Sequence, residues 1–301
     1  MSRPEPDQQA PDDLGFERHL VRSFDDMPVY AYSLGDESLP ALALANAYGM
    51  PVAMWAPLAR QLAGRVRLLT WETRGIPNLD LPFAPERCGH DEHARDLASV
   101  LDHFAVTRAW CVGWCAGAQV VVRFASSFPE RVRAAVLLSG AYALPASEVA
   151  PTEFQRKLGV VLAACSRGPT FARTYSQLMC KGLDEPGQGA STGLLTSADP
   201  RLLPMTSAPF RSAEALYRYG CAGVQMAKAP AHAWAEEMRA PTLVMTGDDD
   251  PVTNPAASRE MARRIPGAAF ELVPGGDHFL PWNHAGLGER VLAFFDSIPS
   301  D

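Results

Sequence analysis

Residues 108–123 read RAWCVGWCAGAQVVVR, and this stretch constrains the fold more than any other. A short apolar run, 109–112, has the composition of a buried strand. The chain then turns through Gly113-Trp114-Cys115-Ala116-Gly117 and leaves as residues 118–124, almost entirely apolar, in the manner of a buried helix. A side chain held on so tight a strand-to-helix turn sits in strained backbone. Larger residues two before and two after it would collide with the neighbouring strand and helix. Gly113 and Gly117 meet that demand and leave Cys115 at the apex. Taken alone, Cys115 is also readable as a small core residue, since free cysteine is often simply buried. The order of the remaining elements decides between the two.

Upstream, residues 16–22 and 27–33 read as strands joined by the turn Asp25-Asp26. Residues 39–45 (LPALALA) form a continuous apolar run suited to a central strand buried on both faces. A loop at 46–51, a helix at 54–62 and a strand at 66–71 follow. A proline-rich loop then leads to an amphipathic helix at 91–104, with Ala94, Leu97, Leu101 and Phe104 on one face. Beyond 108–123 lies a strand at 132–138. This alternation predicts a parallel sheet with helices on both faces. It stops between about 144 and 238, where helices are predicted at 153–165, 171–180 and 213–227 and no strand is. Residues 182–193 (GLDEPGQGASTG) read as a flexible loop. A strand at 241–246, a helix at 254–265, a strand at 268–273 and a helix at 287–295 complete the chain. The expected organisation is an α/β core over 1–143 (1–13 a disordered tail), a helical cap over 144–238, and the rest of the core over 239–301.

Composition excludes several classes of function. The formal net charge of −7 and the lack of a basic stripe argue against nucleic-acid binding. No apolar run reaches the length of a membrane span. The polar, proline-rich start lacks an apolar signal core. The six cysteines are scattered without C-x-x-C pairing, as expected of reduced thiols in the cytoplasm. They form no metal-ligand cluster with the seven histidines, so neither metal nor cofactor is expected. His90 and His93 are expected at an exposed helix start.

The G-x-C-x-G turn resembles the nucleophile elbow of the α/β-hydrolase superfamily, with a thiol where serine is usual. The resemblance implies an α/β-hydrolase fold, a mostly parallel sheet flanked by helices with an inserted helical cap. It also implies an order along the chain of nucleophile, acid, histidine, the last two in loops after late strands. Here the strand at 241–246 runs into Gly247-Asp248-Asp249-Asp250-Pro251, and the strand at 268–273 into Pro274-Gly275-Gly276-Asp277-His278-Phe279. The pattern implies Asp250 as the acid, with Asp248 second, and His278 as the base for Cys115. Asp also favours turns for structural reasons alone. Ser139-Gly140-Ala141-Tyr142 offers no carboxylate for the alternative acid position after the strand before the cap. Glu72 and Arg74-Gly75 keep part of a pattern that supports the fold near such sites.

Acyl transfer builds charge on a carbonyl oxygen, and preorganised N–H donors stabilise it. The resemblance implies Ala116 as one donor and Met50 as the other. Relatives often show His-Gly where this chain has Tyr48-Gly49, and Pro51 has no N–H to give. Tyr48 is either structural or turned toward the substrate. Tyr48, Trp114 and Phe279 are the candidate substrate contacts. Aromatic residues of the cap (Phe154, Phe171, Tyr175, Tyr217, Tyr219, Trp234) either line an apolar pocket or pack cap helices on the sheet.

A thiol nucleophile forms a thioester, which keeps high acyl-transfer potential. Expelling a poor alcohol or amine is harder when a thiolate competes as leaving group. The expected substrates are therefore small-molecule acyl compounds, CoA- and carrier-protein-bound thioesters included. A biosynthetic thioesterase or esterase is the leading reading. An acyltransferase or cyclase using the same three groups is the alternative. A non-catalytic small-molecule binder is a third, disfavoured by the joint presence of Cys115, His278 and Asp250.

Overall fold

In a computed structural model, residues 14–76, 78–180, 199–229 and 231–299 are described. The expected tail at 1–13 and the glycine-rich loop at 182–193 lie outside them. Eight strands form one sheet: β1 (Glu17–Arg22), β2 (Pro28–Leu34), β3 (Ala41–Ala45), β4 (Arg67–Trp71), β5 (Ala109–Trp114), β6 (Val132–Leu138), β7 (Thr242–Gly247) and β8 (Ala269–Val273). Their order is β1-β2-β4-β3-β5-β6-β7-β8. β1, β2 and β4 pair antiparallel, and every pair from β4 to β8 is parallel. Successive side chains of a strand point to opposite faces, and β3 shows the consequence. Leu42 and Leu44 enter the core on one side of the sheet, and Ala43 and Ala45 the core on the other.

The helices are α1 (Ala56–Leu62), α2 (His90–His103), α3 (Ala116–Ser127), α4 (Glu153–Cys165), α5 (Pro169–Cys180), α6 (Leu203–Ser207), α7 (Ala213–Lys228), α8 (His232–Ala235), α9 (Pro255–Arg264), α10 (Leu280–Asn283) and α11 (Leu287–Asp296). α2 and α3 cover one face through Leu97, Leu101, Val121 and Phe124. α1 and α11 cover the other through Leu58, Leu62, Val291 and Phe295. Between β6 and β7, the described residues hold α4 to α8 and no strand.

These inserted helices have their own small core, including Val161, Cys165, Ala172, Phe210 and Leu216. α7 crosses α4 so closely at Gly220 that a Cβ there would lie 2.7 Å from the Ser166 nitrogen. Arg218 of α7 ties the inserted block to the loop after β4. Its guanidinium donates to the carbonyls of Gly75 (2.7 Å), Leu81 (3.0 Å) and Leu79 (3.2 Å). In that loop Arg74 is buried between Asp96 and Asp25, donating to Asp96 at 2.6 and 2.7 Å and to Asp25 at 2.8 and 3.0 Å. The partial match at Glu72-Thr73-Arg74-Gly75 thus marks a buried ion cluster bracing the ground beneath the site.

The expectation of an exposed helix start at His90 and His93 is corrected. Both are buried, because α2 begins underneath the inserted helices and the loop after β3. The His90 ring lies 5.4 Å from that of Trp234, and the His93 ring 4.6 Å from that of Tyr48. Burial, with His93 nearby, pushes His90 down to about 4, so it is neutral in the fold. Among the described residues no helix is long and apolar enough to cross a membrane.

Candidate active site

Cys115 caps the N-terminus of α3 with φ 54° and ψ −117°, a region that a residue with a side chain enters only under constraint. The constraint is visible. The Cys115 N–H donates to the Leu138 carbonyl at the end of β6 (3.0 Å), and its own carbonyl accepts from Ala141 (3.1 Å) and Ala118 (3.2 Å). A Cβ on Gly113 would sit 2.6 Å from the Gly117 oxygen, and one on Gly117 only 1.9 Å from the Ala45 oxygen. Both glycines are therefore demanded by close backbone approach.

Two loops meet over this turn. Gly247, ending β7, lies so close to Gly276 after β8 that a Cβ would fall 2.0 Å from the Gly276 oxygen. The Asp249 N–H also donates to that oxygen (3.0 Å). Asp248 is spent in the same splice, accepting from the Gly275 N–H (2.7 Å). Asp250, the next but one, turns inward. Its carboxylate accepts from the N–H groups of Val252 and Thr253 and from the Thr253 hydroxyl, all at 2.8 Å, and faces His278 Nδ1 at 2.9 Å.

With Nδ1 engaged by the carboxylate, the other ring nitrogen is left toward Cys115, whose sulfur lines the same cavity as the ring and acts on it electrostatically. Burial alone would lower the His278 pKa. The Asp250 charge and then the Cys115 sulfur outweigh it and push the ring up to about 10. Burial would likewise raise Asp250, but His278 and the Thr253 donors hold it below the usual carboxylate range. Thr253 was not singled out from sequence; its hydroxyl shares Asp250 Oδ2 with the imidazole. The only local sign of it is the turn after Asp250, where Asp commonly accepts bonds from the backbone two and three residues on.

The loop after β3 departs from expectation. The Met50 N–H, expected as the second donor, is spent on the Ala47 carbonyl in a turn (3.1 Å). Asn46 braces the loop, donating through Nδ2 to the carbonyls of Met50 and Pro51 (3.0 Å each) and accepting from the Ala47 N–H (2.9 Å). The hydrogen bonds that shape this loop therefore start at Asn46, two residues before Tyr48-Gly49, and engage the Met50 N–H but not that of Tyr48. The backbone N–H groups of Tyr48 and Ala116 bond to no acceptor among the described residues, and both residues line the cavity beside Cys115. The Tyr48 hydroxyl is buried without a hydrogen-bond partner among the described residues, and its ring is set against that of His93.

That cavity measures about 250 Å³. Trp114, Cys115 and Phe279 form its floor with His278, while Phe154, Leu158, Leu162, Phe210, Tyr219 and Met226 come from the inserted helices. Of the other aromatics, Phe171 is exposed, Tyr217 packs on Phe83 and Trp234 on His90. Trp114 touches the cavity but does more: its indole N–H donates to the His278 carbonyl (2.8 Å), linking the strained turn to the histidine loop. Trp114→Phe keeps an aromatic ring, loses the pyrrole half of the indole from a buried site and strands a buried carbonyl. It is expected to cost about 1–3 kcal/mol of stability, read as a lowered urea midpoint at unchanged m, and to lower kcat more than it alters KM.

Sheet order, flanking helices and the strained turn after β5 define an α/β-hydrolase. Residues 42–288 match the Alpha/beta hydrolase family, and the chain belongs to it. It is 30% identical over 215 residues to the 2-hydroxy-6-oxononadienedioate/2-hydroxy-6-oxononatrienedioate hydrolase of Burkholderia vietnamiensis, covering 68% of each chain. It is 21% identical over 248 residues to the 3-oxoadipate enol-lactonase 2 of Acinetobacter baylyi, covering 80% of this chain and 83% of that one. The crystal structure of the enol-lactonase from Burkholderia xenovorans LB400 superposes with a TM-score of 0.73 at 20% identity, covering 93% of this chain and 100% of the other. The chain is an enzyme of the hydrolase type.

Proposed function

We propose that this enzyme hydrolyses activated acyl compounds, thioesters and reactive esters, by way of an S-acyl intermediate on Cys115. The observation that carries this reading is the sulfur at the strained apex of the turn, sharing one cavity with a buried imidazole that Asp250 holds by Nδ1. Sulfur attacks the acyl carbonyl, and the N–H groups of Ala116 and Tyr48 stabilise the oxyanion. The thiol proton, held by His278, passes to the leaving group as the carbon–heteroatom bond breaks. Water then attacks the thioester, giving its proton to His278, and the proton returns to sulfur as the acid leaves. The sulfur's contribution to the raised His278 pKa vanishes on acylation. The imidazolium becomes more acidic just when it must protonate the leaving group, and the neutral ring is then available as base for water. CoA and carrier-protein thioesters are included as acyl donors, and a reducing cytoplasm keeps the thiol free.

Intact-mass measurement after brief mixing with short acyl thioesters tests the reading. Wild type should gain one acyl mass and Cys115→Ala none; labelling that survives the substitution moves the nucleophile elsewhere. Added amines or alcohols should leave the free acid as the product.

A further inference from the structure

The cavity walls carry a specificity that rests on the S-acyl reading but goes beyond it. Phe154, Leu158 and Leu162 lie at i, i+4 and i+8 on α4 and form one apolar stripe facing the cavity. Tyr219, Gly223 and Met226 of α7 stand opposite. Gly223 lets the two helices close, since a Cβ there would meet Leu162 at 2.6 Å. Among the described residues, no lysine, arginine, aspartate or glutamate lines the space.

The polar side chains that do line it are already committed. Gln119 Nε2 donates to the Ala141 carbonyl (2.7 Å), the Thr206 hydroxyl to the Leu202 carbonyl (3.0 Å) and the Thr253 hydroxyl to Asp250. Gln155 Oε1 accepts from the Thr152 N–H (2.9 Å). Apart from His278 at the reacting end, what remains for an anion carries no positive charge: the Gln155 amide N–H groups, the unpartnered Tyr48 hydroxyl and the Tyr219 hydroxyl. Burial also raises the pKa of both lining tyrosines, keeping them neutral.

We propose that the cavity between α4 and α7 selects a neutral, apolar acyl chain and rejects acyl groups that end in a carboxylate. A terminal carboxylate laid along the Phe154, Leu158 and Leu162 stripe loses its water and gains no cation, a penalty that discriminates strongly. A neutral chain of the same length gains burial against the same side chains.

The test has two arms. In the first, Cys115→Ala is titrated calorimetrically with N-methyloctanamide and with the mono-N-methylamide of suberic acid, which differ in the terminal carboxylate. In the second, kcat/KM of wild type is measured for the octanoyl and mono-suberoyl thioesters of N-acetylcysteamine. Both arms should favour the neutral chain by about a hundredfold or more. Equal or reversed preference in the binding arm overturns the inference whatever the kinetics show. Absent acylation of Cys115 with the binding preference intact overturns only the catalytic reading. Gly159 lines the cavity, and a Cβ there would meet nothing within 4 Å. Gly159→Arg therefore offers a cation at the rim with room for its Cβ, and Leu158→Arg offers one on the stripe itself. At least one should raise use of the suberoyl thioester by about tenfold; failure of both, with native urea midpoints, also overturns the proposal.

Discussion

Exchanging His278 for glutamine is expected to lower kcat/KM toward activated acyl substrates by roughly 10⁴-fold. Glutamine keeps an N–H to offer the buried Asp250 carboxylate and fits the space between Trp114 and Phe279. It cannot take or give a proton near neutral pH, so what it removes is proton transfer. Iodoacetamide should still alkylate Cys115 in the variant, separating loss of the base from loss of the thiol. Retention of more than a tenth of the wild-type rate would dismiss His278 as the base. The electrostatics add a second readout. Asp250 and the Cys115 sulfur hold the His278 pKa at about 10 against burial, far above the 6.5 of a free histidine. The raised pKa contributes stability that is present in full below about pH 6.5 and lost as pH rises through about 10. The depressed Asp250 contributes above about pH 3.8 and is lost as pH falls through its lowered value. In Cys115→Ser the sulfur's share is gone, so the His278 ring resonances should titrate at lower pH than in wild type. An unchanged titration would mean that the sulfur and the ring do not interact.

Gly117→Ala is expected to be among the most damaging glycine-to-alanine changes in the described residues, costing about 3 kcal/mol or more. The new Cβ would sit 1.9 Å from the Ala45 oxygen, 2.4 Å from its carbonyl carbon and 2.7 Å from the Asn46 oxygen. All three are backbone atoms where β3 passes into the Asn46–Pro51 loop, so no side-chain rotation relieves the clash. Either α3 lifts or the loop that carries the Tyr48 N–H moves, and activity falls with stability. Gly159→Ala is the control. It lies within α4 with open space around its Cα, so added helix propensity should make it neutral or stabilising by up to about 1 kcal/mol. Equal urea midpoints for Gly117→Ala and wild type would show that the approach of α3 to β3 is not close.

Much of the core was legible in local patterns. Each of the eight strands read from apolar runs appears, with ends moved by a residue or two, and the parallel order follows from alternation with helices. The loops themselves were legible as turns after buried strands, while the choice of Asp250 and His278 within them came from the resemblance to the α/β-hydrolase order. The errors have a common cause. Tyr48-Gly49 seemed to frame the loop after β3, since a glycine there resembles the usual pair. The loop's hydrogen bonds are instead set by Asn46, whose amide reaches forward to Met50 and Pro51. His90 and His93 looked exposed because nothing near them in the chain is apolar enough to cover them. Tyr48 and Trp234, far away in sequence, do so. The roles of the inserted aromatics were left open for the same reason.

What this sequence determined by itself was whatever depends on neighbours in the chain: periodicity, turn residues, and two glycines that only a tight strand-to-helix turn requires. Those are short-range steric and solvation effects, complete within a few residues. The resemblance already pointed to Asp250, but the tertiary structure alone decided which N–H in the Asn46–Pro51 loop is left without an acceptor, and which faces of α4 and α7 enclose a cavity. Each of these outcomes is a competition for hydrogen bonds or buried surface between segments that meet only once the sheet has assembled.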